Sequence, residues 1–589
     1  MRSFVAAIVA LTVTAVTALS GAVLAAPAFA SATAYTWIGA DPELAHPGDG
    51  HSWGDAANWT PQGVPGDGDS VSIAEPSSNC SAHVDGIPAV TLANLAVGAT
   101  KCGTTLVGQG IVVTGTFDWN GGEIDTPLTL DGQGTITGTN SHLNVLHADL
   151  SVAGALTLTG LVDSGASNKG GLRIDDPHML TVGAGATLTS QGDNAVQYLD
   201  CCGAPARIVD AGNVVLANGS LTLHGIGYDA SGATKIPAGR TLLVDGGPGT
   251  LTGTTIGGGG TFATTGHVTA GGITTLGNAT TFALRYPGGS LDGNAVIGGA
   301  GRVAWSGGIV SGHLTLRPSG GVVVSGADPK AISNIAGGVT PSTLRVESPL
   351  TFTAGTADHL NLLDLGQSTM TVTSTTTLHA YDSIPSGTLV NTGHLVIRPG
   401  AGRSASRGGV MTTNRGTVTV ANGTWNLATY RQTAGTTSIA AHATVRLPFP
   451  STVITVQQGS FAGSGTLAGT LLNTGGTVRP GGSARGTLHI AGGYTQGVRA
   501  TLALDLARAA HDVLAVAGSV SLRGLITAHT TGARPSIGIR DTVVKGAIGR
   551  YHVGCVRTSG TGSRHAHWKA RHTSTAVRLT LARGAHRHC

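Results

Sequence analysis

The chain has 589 residues, 93 of them Gly; 40% are hydrophobic, 4% aromatic and 11% charged, and the formal net charge is +4. Glycine without a Gly-X-Y period excludes collagen, and this hydrophobic content with a mean hydropathy of +0.18 excludes a disordered tail protein. Glu, Lys and Met, which fill helix surfaces, number only four, six and four, so the chain is not mainly helical; its Gly, Thr, Val and Ser are the residues of turns and short strands.

Residues 1–30 read as a secretory signal peptide. Arg2 supplies the positive start, Phe4 to Leu24 is mostly apolar, and Ala28-Phe29-Ala30 is a small-x-small cleavage site that leaves Ser31 as the mature N-terminus. No later stretch has about 20 unbroken apolar residues, so no transmembrane segment is expected after signal removal. The expected location is secreted, extracellular or cell-surface associated. Export permits disulfides. Proximity favours Cys80–Cys102 and Cys555–Cys589, adjacent Cys201 and Cys202 permit a vicinal bridge, and the sequence alone does not choose the pairing. There is no C-x-x-C pair to support zinc.

Residues 31–84 form a Trp-rich N-terminal module. Trp37, Trp53 and Trp59 are expected to plug the apolar end of the first coil, because an open solenoid end needs a cap. Carbohydrate stacking is the rival role for these rings.

Residues 85–500 repeat a loose unit in which Val, Leu or Ile alternates with Thr before a Gly, Asn or Asp turn. Leu128-Thr129-Leu130, Leu156-Thr157-Leu158-Thr159, Leu180-Thr181-Val182 and Val418-Thr419-Val420 are examples. Period-two alternation buries one face and wets the other. The irregular spacing, on the order of 20 to 28 residues, fits a solenoid better than a stack of sandwiches, which needs even spacing and linkers. The expected class is all-β: a right-handed, single-stranded parallel β-helix with a β-rich C-terminal cap. At about 22 residues per coil and 4.8 Å per rung it makes about 19 coils and a rod on the order of 90 Å. Longer echoes support the repeat. Gly115 to Ile124 recurs as Gly301 to Val310, each with a central Trp and a Gly pair; Asn391 to Ile397 recurs as Asn414 to Val420, and Tyr430-Arg431-Gln432 as Tyr494-Thr495-Gln496.

Residues 501–589 form a β-rich, basic C-terminal module. Leu502, Leu504 and Leu506 lie two apart, a strand stripe, although propensity alone also allows a helix from Leu502 to Leu514. Arg534 to Cys589 holds eleven Lys or Arg and one acid, Asp541, so the rest of the chain carries −6. This asymmetry points to an anionic partner or to a solubilising end. The candidate anionic-polymer contacts are Arg557, Arg564, Lys569, Arg571, Arg583 and Arg587. His552, His565, His567, His572, His586 and His588 make the same region His-rich, which gives weak metal affinity without a built site.

Catalytic patterns are sparse. The strongest is Arg173-Ile174-Asp175-Asp176-Pro177-His178, whose doubled Asp resembles one element of the polygalacturonase signature; the companion Gly-His-Gly and Arg-Ile-Lys are missing. No G-x-S-x-G elbow, H-E-x-x-H helix or P-loop occurs. No catalytic residue, cofactor or metal site is therefore expected.

Two blocks carry a family resemblance. Thr36-Trp37-Ile38-Gly39, Ser52-Trp53-Gly54-Asp55-Ala56-Ala57-Asn58-Trp59 and Val64-Pro65-Gly66-Asp67-Gly68-Asp69 resemble the opening module of bacterial secreted β-helix surface proteins, and faintly a G8-type domain. Gly463-Ser464-Gly465-Thr466-Leu467, Asn473-Thr474-Gly475-Gly476-Thr477-Val478-Arg479-Pro480-Gly481-Gly482-Ser483, Gly493-Tyr494-Thr495-Gln496 and Asp512-Val513-Leu514 are similar to the passenger-associated repeat of autotransporters and adhesins. The resemblance implies a β-helix shaft used for adhesion or display. No membrane β-barrel is expected after the shaft, so autotransport itself is not implied. The expected function is non-enzymatic adhesion or cell-envelope association. The partner would be an extracellular or cell-wall polysaccharide, or a host or neighbouring cell surface, and not nucleic acid. The alternative is a carbohydrate-active enzyme, a polysaccharide lyase or glycoside hydrolase. Three or more convergent charged residues in a groove would favour the enzyme; a uniform Thr, Ser and Asn face would favour display.

Overall fold

The computed structural model describes residues 32–39, 48–74, 82–98, 103–138, 143–162, 171–198, 204–333, 341–353, 361–406, 409–532, 535–561 and 565–584. The signal segment, Ser31, Cys80, Cys102, Cys201, Cys202, Arg564, His586, Arg587, His588 and Cys589 lie outside these residues.

The Leu-Thr-Leu units become short strands whose apolar side chains point inward and whose Thr points outward, as at Leu128–Leu130 and Leu150–Val152. Each coil lays down three such strands, and each pairs in parallel with its equivalent one coil later. Leu128–Leu130, Leu150–Val152 and Met179–Val182 stack in one ladder. Asn144–Leu146, Leu172–Ile174 and Asn194–Gln197 stack in a second, and Gln133–Thr137, Ala155–Thr159 and Thr187–Gln191 in a third. The result is a parallel β-solenoid of about 19 turns, all-β, with further strands at the C-terminal end.

Register puts like on like inside the shaft. Leu128, Leu150, Leu180 and Ile208 form one inward column, all at most 2% exposed. Each such side chain contributes about 1.5–3 kcal/mol on burial. Corners that need a polar residue take Asn or Gln. Asn391 Nδ2 donates to Asn414 Oδ1 on the next coil at 2.8 Å, and both are fully buried. This accounts for the echo of Asn391 to Ile397 in Asn414 to Val420, whose strands are direct neighbours.

The Trp-Gly-Gly echo has another cause. Trp119 is next to last in the strand Ile111–Asn120 and Trp305 ends Arg302–Trp305, and their indole N–H donates to Gly121 O at 3.1 Å and Gly308 O at 3.4 Å. Yet they sit in different ladders, Trp119 pairing to Ile136 and Trp305 to Val324. The motif therefore specifies a corner, not a face. Gly122 and Gly308 have φ of 97° and 88°, and a Cβ at Gly308 would lie 2.0 Å from Gly289 O of the coil below. Only glycine permits that approach.

The two ends are closed differently. At the N-terminus Trp37, Trp53 and Trp59 are 3%, 1% and 1% exposed, and Trp59 meets each of the other rings edge-on at 4.9 Å. They plug the first coil as expected. Their burial removes the rings from carbohydrate stacking, so that rival reading is corrected: plugging an apolar end requires the rings that a sugar would need exposed. At the C-terminus Thr501–Leu506 is a strand, and no helix follows it: Val513–Thr530 is an 18-residue strand. That strand pairs in turn with Thr487–Ile490, Tyr494–Gln496 and Thr501–Leu506, wrapping all three faces. Arg540–Ser559 lies parallel on it, and an antiparallel hairpin of Ala566–His572 and Ala576–Arg583 completes the sheet.

Candidate functional site

In the hairpin, alternation sorts charge from core. Ala566 and Trp568 face inward, while Lys569 and Arg571 are exposed. On the partner strand Val577, Leu579 and Leu581 are buried and Arg578 is exposed. The register sets Arg571 directly opposite Arg578, and Lys569 opposite Thr580, whose other neighbour is Arg540. Arg540, Lys569, Arg571, His572 and Arg578 thus line one open groove of about 440 Å³, together with Thr573 and Thr580.

The one acid of this segment does not face the groove. Asp541 follows Arg540 in an extended strand and turns inward, 6% exposed, with Oδ1 3.5 Å from His511 Nδ1. Burial pushes its carboxyl pKa up, and the attraction of His511 pulls the other way. No counter-charge from the same segment therefore reaches the four cations.

The six sequence candidates divide. Lys569 and Arg571 lie in the groove. Arg557 lies elsewhere, in a shallower depression of about 510 Å³ with Arg499, His552 and Cys555. Arg583 is exposed at the hairpin's end, across from Ala566. The described candidates therefore do not share one depression, and Arg564 and Arg587 lie outside the described residues. Arg540 and Arg578 join the groove although they were not singled out. The alternation Val577-Arg578-Leu579-Thr580-Leu581 carried the signal for Arg578, while Arg540 needed the strand pairing. The histidines do not gather. His572 stacks on Tyr551 at 4.4 Å, and His567 Nδ1 lies 3.2 Å from Gly584 O. Among the described residues no three His, Cys, Asp or Glu are placed to hold a metal.

A second polar cluster surrounds Asp175. Arg173 Nε is 2.5 Å and His147 Nδ1 2.8 Å from its carboxylate, and His147 Nε2 is 3.7 Å from Glu123. The strands carrying Glu123, Val145 and Arg173 are successive rungs of one ladder. His178 turns instead toward Asp149, at 3.6 Å. Arg173 offsets the charge of Asp175, and His147 spans the gap between Asp175 and Glu123.

One outward column of the shaft is mostly hydroxyl. Thr375, His394, Thr417, Thr436, Ser460 and Thr477 form one outward column through successive coils, and Thr436 Oγ1 donates to Thr417 Oγ1 at 3.4 Å. No helix among the described residues is long and apolar enough to cross a membrane. Comparison with protein-family models and with curated proteins gives no match for this chain.

Proposed function

We propose that the protein is a secreted, non-enzymatic β-solenoid that presents a rod-shaped surface outside the cell and holds an anionic polymer in its C-terminal groove. The observation that carries this is Arg571 set opposite Arg578, flanked by Lys569 and Arg540, with the one nearby acid turned into the core. Like charges directly across a sheet are destabilising, so the arrangement costs stability until an anion bridges them. Planar guanidinium forks suit carboxylate or phosphate groups. Uronate-containing or polyol-phosphate polymers of the envelope or matrix have this chemistry. The hydroxyl column supports a display role for the shaft. Likeness to passenger-associated repeats, the signal segment and a Cys555–Cys589 bridge belong to the same proposal; Cys555 is a bonded cysteine and not a titrating thiol.

The test compares the wild type with an Arg571→Glu, Arg578→Glu variant in co-sedimentation with a purified uronate polymer. Losing two charge-assisted contacts is expected to weaken binding at least about tenfold. Wild-type binding should also fall steeply between about 0.05 and 0.5 M salt. Equal binding by the two proteins overturns the reading. The Glu123–His147–Asp175 cluster favours a second reading, a polysaccharide lyase or hydrolase. Release of polymer fragments that disappears in Asp175→Asn would establish it.

A further inference from the structure

Charge is unevenly distributed between the two ends of the chain. Residues 31–100 contain eight Asp or Glu and no Lys or Arg, whereas residues 534–589 contain eleven Lys or Arg and one acid. Three of the eight acids, Asp41, Glu43 and Glu75, lie outside the described residues. The other five belong to the N-terminal cap. Asp69 accepts from Thr33 N and Gly66 N and is partly buried. Asp55 accepts from Asp49 N and Ala57 N. Asp49 and Asp67 are exposed, and Asp85 has a side chain 42% exposed.

These carboxylates bind backbone N–H groups in preference to cations. Asp49 accepts from His51 N and Ser52 N, and Asp67 from Thr91 N at 2.8 Å. Among the described residues their cationic partners are His51 and His83 only, the closest being His83 Nε2 to Asp85 at 2.9 Å. Even with His46, His51 and His83 all charged, three cations do not balance the eight carboxylates of residues 31–100, so the cap stays negative. The basic groove lies at the opposite end of the same solenoid. Val64, 44% exposed, lies three residues before Asp67, and Ile537, 46% exposed, three residues before Arg540.

We propose that the acidic N-terminal cap of one copy docks on the basic C-terminal groove of a second copy, so that the rods associate head to tail. Two different patches at opposite ends of one chain make a heterologous contact, which repeats into an open chain of subunits where the rotation does not close it. Screening limits exposed charges to about 8 Å at physiological salt, so only the apposed ends interact. The groove is shared with the polymer reading. The acidic cap is not, and it separates the two.

Sedimentation velocity on the mature protein is the test. At low salt the wild type is expected to shift to faster-sedimenting species as concentration rises, and to return to monomer at high salt. Arg571→Glu with Arg578→Glu, and separately Asp67→Lys with Asp85→Lys, are each expected to stay monomeric while keeping a β-type circular dichroism spectrum. An equimolar mixture of the two variants should regain association, because each reversed groove then meets a reversed cap. A wild type that is monomeric at every concentration and salt overturns the inference, as does a folded mixture that fails to associate. The Asp67→Lys, Asp85→Lys variant should still bind the uronate polymer. Loss of polymer binding by the wild type with association intact would remove the polymer reading and leave this one standing.

Discussion

At the scale of single residues, the informative side chains are the polar ones that break an apolar column. Asp210 ends the strand Arg207–Asp210 with Val182 on the coil before it and Ala230 on the coil after, and is fully buried. Tyr228 Oη donates to its Oδ2 at 3.1 Å and Gly212 N to its Oδ1 at 3.1 Å. Burial raises the carboxyl pKa to about 6, and those two hydrogen bonds offset only part of the rise. Asp512 is also pushed by burial to about 6, against hydrogen bonds from Asp505 N and Gly486 N. The folded pKa lies above the unfolded one. Between about pH 4 and 6 the unfolded chain therefore gives up the proton first, and stability falls as pH rises. A rise of this size corresponds to about 3 kcal/mol as an upper bound. Asp210→Asn keeps an acceptor for Gly212 N and removes the buried charge. It is expected to raise the urea midpoint at pH 7 by more than at pH 4.5, and an equal change at both pH values would exclude Asp210 as the source.

At the scale of elements, the hairpin is both groove and lid. Its outward residues bear the cations, and its inward Trp568 covers the last coil, 1% exposed, with Nε1 donating to Thr530 Oγ1 at 3.1 Å. Trp568→Ala removes that cover and is expected to cost about 3–5 kcal/mol locally. In a stacked repeat, coils contact only their neighbours, so the loss should not travel. Hydrogen exchange followed by mass spectrometry should show faster exchange in Val513–Thr530, Arg540–Ser559 and the hairpin, with Leu128–Val182 unchanged. The strand stripe of Leu502, Leu504 and Leu506 was legible because period two is explicit there. The length of Val513–Thr530 was not. Its residues are small and mixed, and only pairing with three earlier strands keeps it extended across three faces.

At the scale of the whole molecule, about 19 rungs at 4.8 Å give a shaft of about 90 Å before the caps. A compact chain of this length would have a radius of gyration of about 25 Å and a largest dimension near about 65 Å. Small-angle scattering at high salt, where the ends are screened, is expected to give a skewed distance distribution reaching at least about 90 Å. A symmetric distribution ending near about 65 Å would contradict the shaft. The rod also gives the charge asymmetry its meaning, because it keeps the two charged ends apart.

The alternation of Leu and Thr, the Gly corners, the scarcity of Glu and Lys and the basic tail determined by themselves that the chain is β-rich, coiled and basic at its C-terminal end. Those are local properties: periodicity, permitted φ and composition act residue by residue. Four things waited for the tertiary structure. Stacking decided that the Trp-Gly-Gly echoes lie on different faces, since a corner motif does not say which corner. It also decided that the N-terminal Trp rings are buried. Strand pairing brought Arg540 to the groove beside Lys569 and left Arg557 in a separate depression. Burial turned Asp541 away from the cations. Each depends on which distant strand lies alongside, and in a parallel solenoid that register is set by the coil before, not by the residue's own neighbours in sequence.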